Sequence, residues 1–208
     1  MTWTSSVGRA CGVLLDAIVR WLALSHINPN VLTLMGLVVN TYAAFLFGYA
    51  SGDNQRRMFL YAGLVIIGSG FFDLVDGRVA RASNQVTRFG GFFDSIVDRY
   101  SDASLFLGLL VFYGRGNRFF YVVLAALAMI SAIMVSYARA RAESLIGTCR
   151  VGFMERPERL VLLIIGALFN VMAPVLWVIA VLSTITVIHR VLYTWQRTTE
   201  MDAPAKAA

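Results

Sequence analysis

The chain is a succession of apolar runs separated by short connectors rich in arginine. A helix that crosses the ~30 Å hydrocarbon core of a bilayer needs about 20 mostly apolar residues. Runs of that length are expected at about 31–50, 57–77, 92–114, 118–138, 158–173 and 174–194. The last two form one continuous apolar stretch, divided at Pro174 because proline interrupts a helix. Of the 208 residues 58% are hydrophobic and 14% charged, against about a quarter charged in soluble domains. The sequence therefore predicts an all-α integral membrane protein with six transmembrane helices in one polytopic domain, residues 30–196.

An amphipathic segment precedes the first run. Val13, Leu14, Ala17, Ile18, Trp21 and Leu22 share one helical stripe, with Arg9, Asp16 and Arg20 elsewhere. That pattern predicts an interfacial helix within residues 1–29. Residues 197–208 are small and polar and are expected to form a disordered tail.

Basic residues orient the spans. Thirteen lie on one side of the six expected spans, from Arg9 to Lys206, and four on the other, Arg56, Arg57, Arg115 and Arg118. The basic side is the cytoplasmic one, so the protein is expected in a bacterial-type inner membrane with both termini in the cytoplasm. Because the charges sit in connectors between apolar runs, nucleic acid is excluded as the partner. Cys11 and Cys149 lie far apart, without a Cys or His at metal-ligand spacing, and imply no disulfide framework.

Four aspartates break the apolar pattern on that cytoplasmic side. Asp73 and Asp76 are three residues apart near the end of the second run; Asp94 and Asp98 are four apart in the third. Both spacings place side chains on one helix face, and intramembrane carboxylates mark function by default. Four carboxylates aimed at one volume repel unless a cation neutralises them. An all-oxygen set suits Mg²⁺, Mn²⁺ or Ca²⁺ better than zinc. Gly77, Gly90 and Gly91, with Arg78, Arg81 and Arg88, surround them with close-approach backbone and positive charge. Such surroundings suit a diphosphate held by two metal ions about 4 Å apart.

The pattern D-x2-D-G-x2-A-R-x8-G-x3-D-x3-D is matched by Asp73, Asp76, Gly77, Ala80, Arg81, Gly90, Asp94 and Asp98. In this the chain resembles the CDP-alcohol phosphatidyltransferase family. The resemblance implies a six-helix membrane domain, a homodimer, and transfer of a phosphatidyl group from CDP-diacylglycerol to an alcohol with release of CMP. It implies that Asp73, Asp76, Asp94 and Asp98 hold Mg²⁺, or Mn²⁺ in its place, as two ions. Asp98 would also be the general base. Asn30, Val31, Leu32, Thr33, Gly77, Arg81 and Thr87 would contact the CDP-lipid.

A second cluster bears on the acceptor. Arg139 and Arg141 end the fourth run, Arg156 and Arg159 begin the fifth, and Arg190 lies in the sixth. Guanidiniums from three helices around one pocket suit an acceptor that itself carries phosphate. The stretches from Ser136 to Glu143 and from Gly152 to Arg159, with Arg190, resemble bacterial phosphatidylinositol phosphate synthases, except that Arg139 stands at a lysine position. The acceptor this implies is a phosphorylated polyol, inositol 1-phosphate, with glycerol 3-phosphate as the alternative. Glu143, Glu155 and Glu158 either orient these arginines or cap and pair at the surface. A cation-coupled transporter is the rival outside catalysis; the clustering of the aspartates at one membrane face and the lack of an inverted repeat oppose it.

Overall fold

The computed structural model describes residues 28–82 and 86–203. Among them the regular structure is helical: α1 Pro29–Tyr49, α2 Gln55–Ala82, α3 Arg88–Arg115, α4 Phe119–Ile146, α5 Arg156–Leu168 and α6 Met172–Asp202. The interfacial helix expected within residues 1–29 lies outside the described residues up to residue 27, and Asn28 and Pro29 belong to the start of α1. Helices α1, α4 and α6 are long and apolar enough to cross a membrane. Helices α2 and α3, with 28 residues each, are longer than α1 and carry the charged cluster. Helix α5 has only 13 residues, about 20 Å at 1.5 Å per residue. Large apolar side chains face outwards; Val38 is 68% exposed, Phe119 76% and Trp195 65%. Apolar surface on this scale belongs against lipid.

Three expectations need correction. The last apolar run does not divide at Pro174. It divides at Phe169–Val171, where Asn170 takes a left-handed φ of 56°. Pro174 lies in the first turn of α6, where a missing N–H breaks no intrahelical bond. Second, α2 continues through Ala82, beyond the expected end of that run at 77. Third, α6 continues to Asp202, so residues 197–202 are not a disordered tail. There Arg197 pairs with Glu200 at 3.2 Å, and Thr198 and Thr199 hydrogen-bond back to the preceding turn.

Helix α1 packs against both α2 and α3, α4 against α3 and α6, and α5 against α2 and α6. The large core lies toward the C-terminal ends of α1 and α3 and the N-terminal end of α2. Phe59 sits edge-on between Phe47, at 5.0 Å, and Phe112, at 4.9 Å. Glycines allow close helix approach in that half. A Cβ on Gly63 would meet Ala167 at 3.1 Å, and one on Gly108 would run into the Ala44 backbone. Among the described residues, a second core cluster at the aspartate-bearing end joins Leu32, Val75 and Val79. Ser69 is buried there and donates to the Gly36 carbonyl at 3.2 Å. Its neighbours Gly68 and Gly70 have no described atom within 4 Å of a built Cβ. Among the described residues, a helix-packing role is therefore seen at Ser69.

Gly108→Ala is expected to destabilise the bundle by about 1–3 kcal/mol, the usual cost of overpacking. The check is the thermal midpoint in detergent, with Gly70→Ala as the tolerated counterpart.

Candidate active site

Helix α3 begins at a cap. Thr87 Oγ1 accepts the Gly90 N–H at 2.9 Å, satisfying one of the orphan amides of the first turn. From there Asp94, Asp98 and Asp102 recur every four residues, a spacing that keeps them on one face. Asp94 and Asp98 are half-buried, and Asp102 is 6% exposed. Asp98 Oδ1 accepts from Arg156 Nη1 at 2.8 Å. Asp102 Oδ2 lies 2.6 Å from Arg159 Nη2, and its Oδ1 lies 3.5 Å from Arg156 Nε. Two arginines on the first turn of α5 thus climb two carboxylates of α3. Asp102 escaped the sequence reading, although it continues the spacing of four from Asp94 and Asp98.

The segment between α4 and α5 supplies the other wall. Helix α4 ends at Gly147, whose φ is +79°. The irregular backbone that follows finds its partners in side chains. Thr186 Oγ1 accepts the N–H groups of Phe153, at 3.4 Å, and Met154, at 3.1 Å. Arg190 donates through Nε to the Val151 carbonyl at 2.8 Å and through Nη1 to the Val135 carbonyl at 2.6 Å. Gly152 has a φ of +108°, and a Cβ there would meet Thr186 at 2.5 Å; only glycine fits both demands. Glu155 Oε1 then joins Arg190 Nη2 at 2.9 Å and Arg139 Nη1 at 3.0 Å. Arg139 Nε also reaches Glu143 at 3.0 Å, while Glu158 accepts the Glu155 N–H at 3.0 Å. Glu143 and Glu155 therefore orient arginines, and Glu158 caps α5.

Asp98, Arg139, Arg156 and Arg190 line one cavity of about 150 Å³, together with Arg99, Asp102, Val135, Ser136, Glu155 and Pro157. Arg99 bends back to the carbonyl of Ser95 on its own helix. The other two arginines flagged in the sequence are placed differently. Arg159 is 2% exposed and is held by Asp102 and the Met154 carbonyl. Arg141 is exposed, with Nη1 3.5 Å from Ser144 Oγ.

The residues expected to meet the CDP-lipid occupy two helix starts and one helix end. Asn28 caps α1 by accepting the Asn30 N–H at 3.0 Å, and Pro29 fills the first helical position. Thr33 is buried, with Oγ1 3.2 Å from the Pro29 carbonyl. Leu32 packs on Val75 and Val79 of α2, whereas Val31 points outward at 48% exposure. A Cβ on Gly90 would stand 3.0 Å from Thr87 Oγ1 and 3.6 Å from Asn30 Oδ1, so the starts of α1 and α3 meet here. Gly77 and Arg81 lie on the last turns of α2. Asp73 and Asp76 lie on the same helix, and their side chains fall outside the described residues.

Asp94 and Asp98 supply a half-buried, all-oxygen donor pair. Carboxylate oxygens are the donors a hard divalent ion takes, so the chemistry of this pair fits one, although among the described residues no third ligating side chain joins them.

Residues 26–195 match the CDP-alcohol phosphatidyltransferase family. The chain belongs to that family. It is 38% identical to the archaetidylinositol phosphate synthase of Pyrococcus horikoshii, over 85% of this chain and 88% of that one. The fold matches crystal structures of the phosphatidylinositol phosphate synthase of Mycobacterium tuberculosis, which is 29% identical. The form with CDP-DAG bound gives a TM-score of 0.77, covering 87% of this chain and 93% of that one. The form in complex with manganese and citrate gives 0.75, covering 87% and 88%. This membrane protein is therefore a metal-dependent phosphatidyltransferase, which sets the transporter reading aside.

Asp102→Asn leaves the Arg159 charge buried without its carboxylate. It is expected to cost about 3–5 kcal/mol, read as a lowered thermal midpoint. Adding Arg159→Met in the same chain is expected to recover most of that loss.

Proposed function

We propose that the enzyme transfers a phosphatidyl group from CDP-diacylglycerol to inositol 1-phosphate, giving phosphatidylinositol phosphate and CMP. The observation that carries this reading is the convergence of Arg139, Arg156 and Arg190 on the cavity that holds Asp98. A phosphate accepted by those guanidiniums places the acceptor's free hydroxyl beside a carboxylate. The names of the relatives support it too: the archaeal and bacterial proteins differ in the lipid they name and share inositol phosphate.

The chemistry follows from that placement. Asp98 takes the proton of the acceptor hydroxyl. The freed oxygen attacks the β-phosphorus of the CDP-lipid, a new P–O bond forms there, and the bond from β-phosphorus to the bridging oxygen breaks. The electron pair leaves with CMP. Asp73, Asp76, Asp94 and Asp98 would hold two divalent ions, Mg²⁺ or Mn²⁺, which when bound offset the charge that builds on the bridging and phosphoryl oxygens. Thr87 and Asn30, at the meeting helix starts, with Gly77 and Arg81 on α2, would hold the cytidine diphosphate. Arg139, Arg156 and Arg190 would hold the acceptor phosphate. Arg159 instead fixes Asp102, and Arg141 has no part in the cavity.

The wider setting belongs to the same proposal. The described helices would span the bilayer, α5 together with the irregular stretch ahead of it, with the basic end and the site in the cytoplasm of a bacterial-type cell. Two chains would pair as a homodimer, as the family resemblance implies.

The deciding experiment is an acceptor panel of inositol 1-phosphate, inositol, glycerol 3-phosphate and serine, scored by Mg²⁺-dependent CMP release. Turnover with inositol 1-phosphate alone is expected; preference for glycerol 3-phosphate would replace the acceptor. Asp98→Asn is expected to lower kcat by at least about 10²-fold, the lower end of general-base help, while CDP-lipid still binds. Arg156→Ala is expected to raise KM for inositol 1-phosphate by about 10–100-fold, the worth of one charged hydrogen bond. KM for the CDP-lipid should move far less in a two-substrate titration.

A further inference from the structure

Arg139, Arg156 and Arg190 are committed to this chain's own carboxylates. Arg139 is joined to Glu143 and Glu155, Arg190 to Glu155, and Arg156 to Asp98 and Asp102. A phosphate entering the cavity must therefore take an arginine from a carboxylate. The pairs are not equally ready to yield. Arg190 is 1% exposed and is fixed by two backbone carbonyls as well as Glu155. Glu155, on the segment that Thr186 and Arg190 pin, bridges two arginines at once. The Asp102 carboxylate is 8% exposed and bound to buried Arg159. Arg139 is more exposed, at 40%, but its partners Glu143 and Glu155 are not candidate metal ligands; the Arg156–Asp98 pair, 19% exposed on each side, lines the cavity and contains one. Asp98 also has another cation to turn to, because the all-oxygen set it shares with Asp94 fits a divalent ion.

We propose that Arg156 is a counter-ion shared between the base and the acceptor, passed from Asp98 to the incoming phosphate. This rests on the acceptor reading above and deepens it. With the cavity empty of phosphate, Arg156 Nη1 engages Asp98 Oδ1, an oxygen that a divalent ion would otherwise take. When a phosphate arrives, Nη1 of Arg156 turns to it. Nε stays near Asp102, which tethers the guanidinium within reach. Asp98 is then released to the divalent ion and to the acceptor hydroxyl. Two partners drawing on opposite ends of one ion pair help each other bind, and linkage makes the help reciprocal. An acceptor without phosphate leaves the base engaged, so selection acts on the readiness of Asp98 as well as on binding.

The test is Mn²⁺ affinity, measured by electron paramagnetic resonance on the full chain in nanodiscs without CDP-lipid, so that no turnover occurs. Inositol 1-phosphate is expected to tighten Mn²⁺ binding to the wild-type protein by about fivefold or more, the lower range of coupling between sites. Arg156→Gln is expected to tighten Mn²⁺ by a similar factor with no phosphate present, and to abolish the further effect of inositol 1-phosphate. Arg139→Gln removes a positive charge from the same cavity without touching Asp98, and is expected to leave Mn²⁺ affinity within about twofold of wild type, well below that coupling. The proposal is overturned if inositol 1-phosphate leaves wild-type Mn²⁺ affinity unchanged. It is equally overturned if Arg156→Gln and Arg139→Gln tighten Mn²⁺ alike. In either case the acceptor reading survives if the panel still selects inositol 1-phosphate. Absence of any Mn²⁺ binding to the wild-type protein would overturn the metal reading and this inference together.

Discussion

The ladder of charges between α3 and α5 is the interaction on which the site depends. Helix α5 is short, and its first turn carries Arg156 and Arg159 into a bundle where an isolated charge would be costly. The carboxylates at Asp98 and Asp102 answer them from α3. Their burial is graded. Arg159 and Asp102 are the more deeply buried pair and act as an anchor, while Arg156 and Asp98 are 19% exposed on each side. One pair fixes the geometry that the other uses.

The two halves of the bundle are packed for different purposes. Away from the aspartates, stacked phenylalanines and glycine-mediated approaches bring the helices together. Toward the aspartates the described apolar core consists of Leu32, Val75 and Val79. Polar contacts take over there: the cap at Thr87, the ladder on α3 and the side chains that satisfy residues 150–155.

The helices and the aspartate pair on α3 were legible because spacing alone determines them. Residues 94 and 98 share a face in any helix, and twenty apolar residues have few places to go. What spacing does not reveal is how charges are apportioned. Five arginines look alike in the sequence; in the structure three line the cavity, one is locked to Asp102 and one faces outward. Asp102 was overlooked because a lone carboxylate next to a family motif has no visible partner until α5 is folded against it. Pro174 misled for a local reason. Proline ends a helix from within but is tolerated in the first turn, and the turn itself was made by Asn170 in a conformation the sequence does not announce. The polar end of α6 likewise looked disordered because composition hides the threonine and Arg197–Glu200 contacts to the turn before.

The shortness of α5 has a consequence for where two unlike molecules meet. Thirteen residues reach about 20 Å, some 10 Å less than a bilayer's hydrocarbon core. In the proposed setting the remaining depth would fall to the irregular stretch ahead of α5, whose backbone polar groups Thr186, Arg190 and Arg159 satisfy from within. That stretch would carry polar backbone beneath the headgroup level, where the proposed sugar phosphate would meet the lipid's diphosphate without the lipid being lifted toward the water.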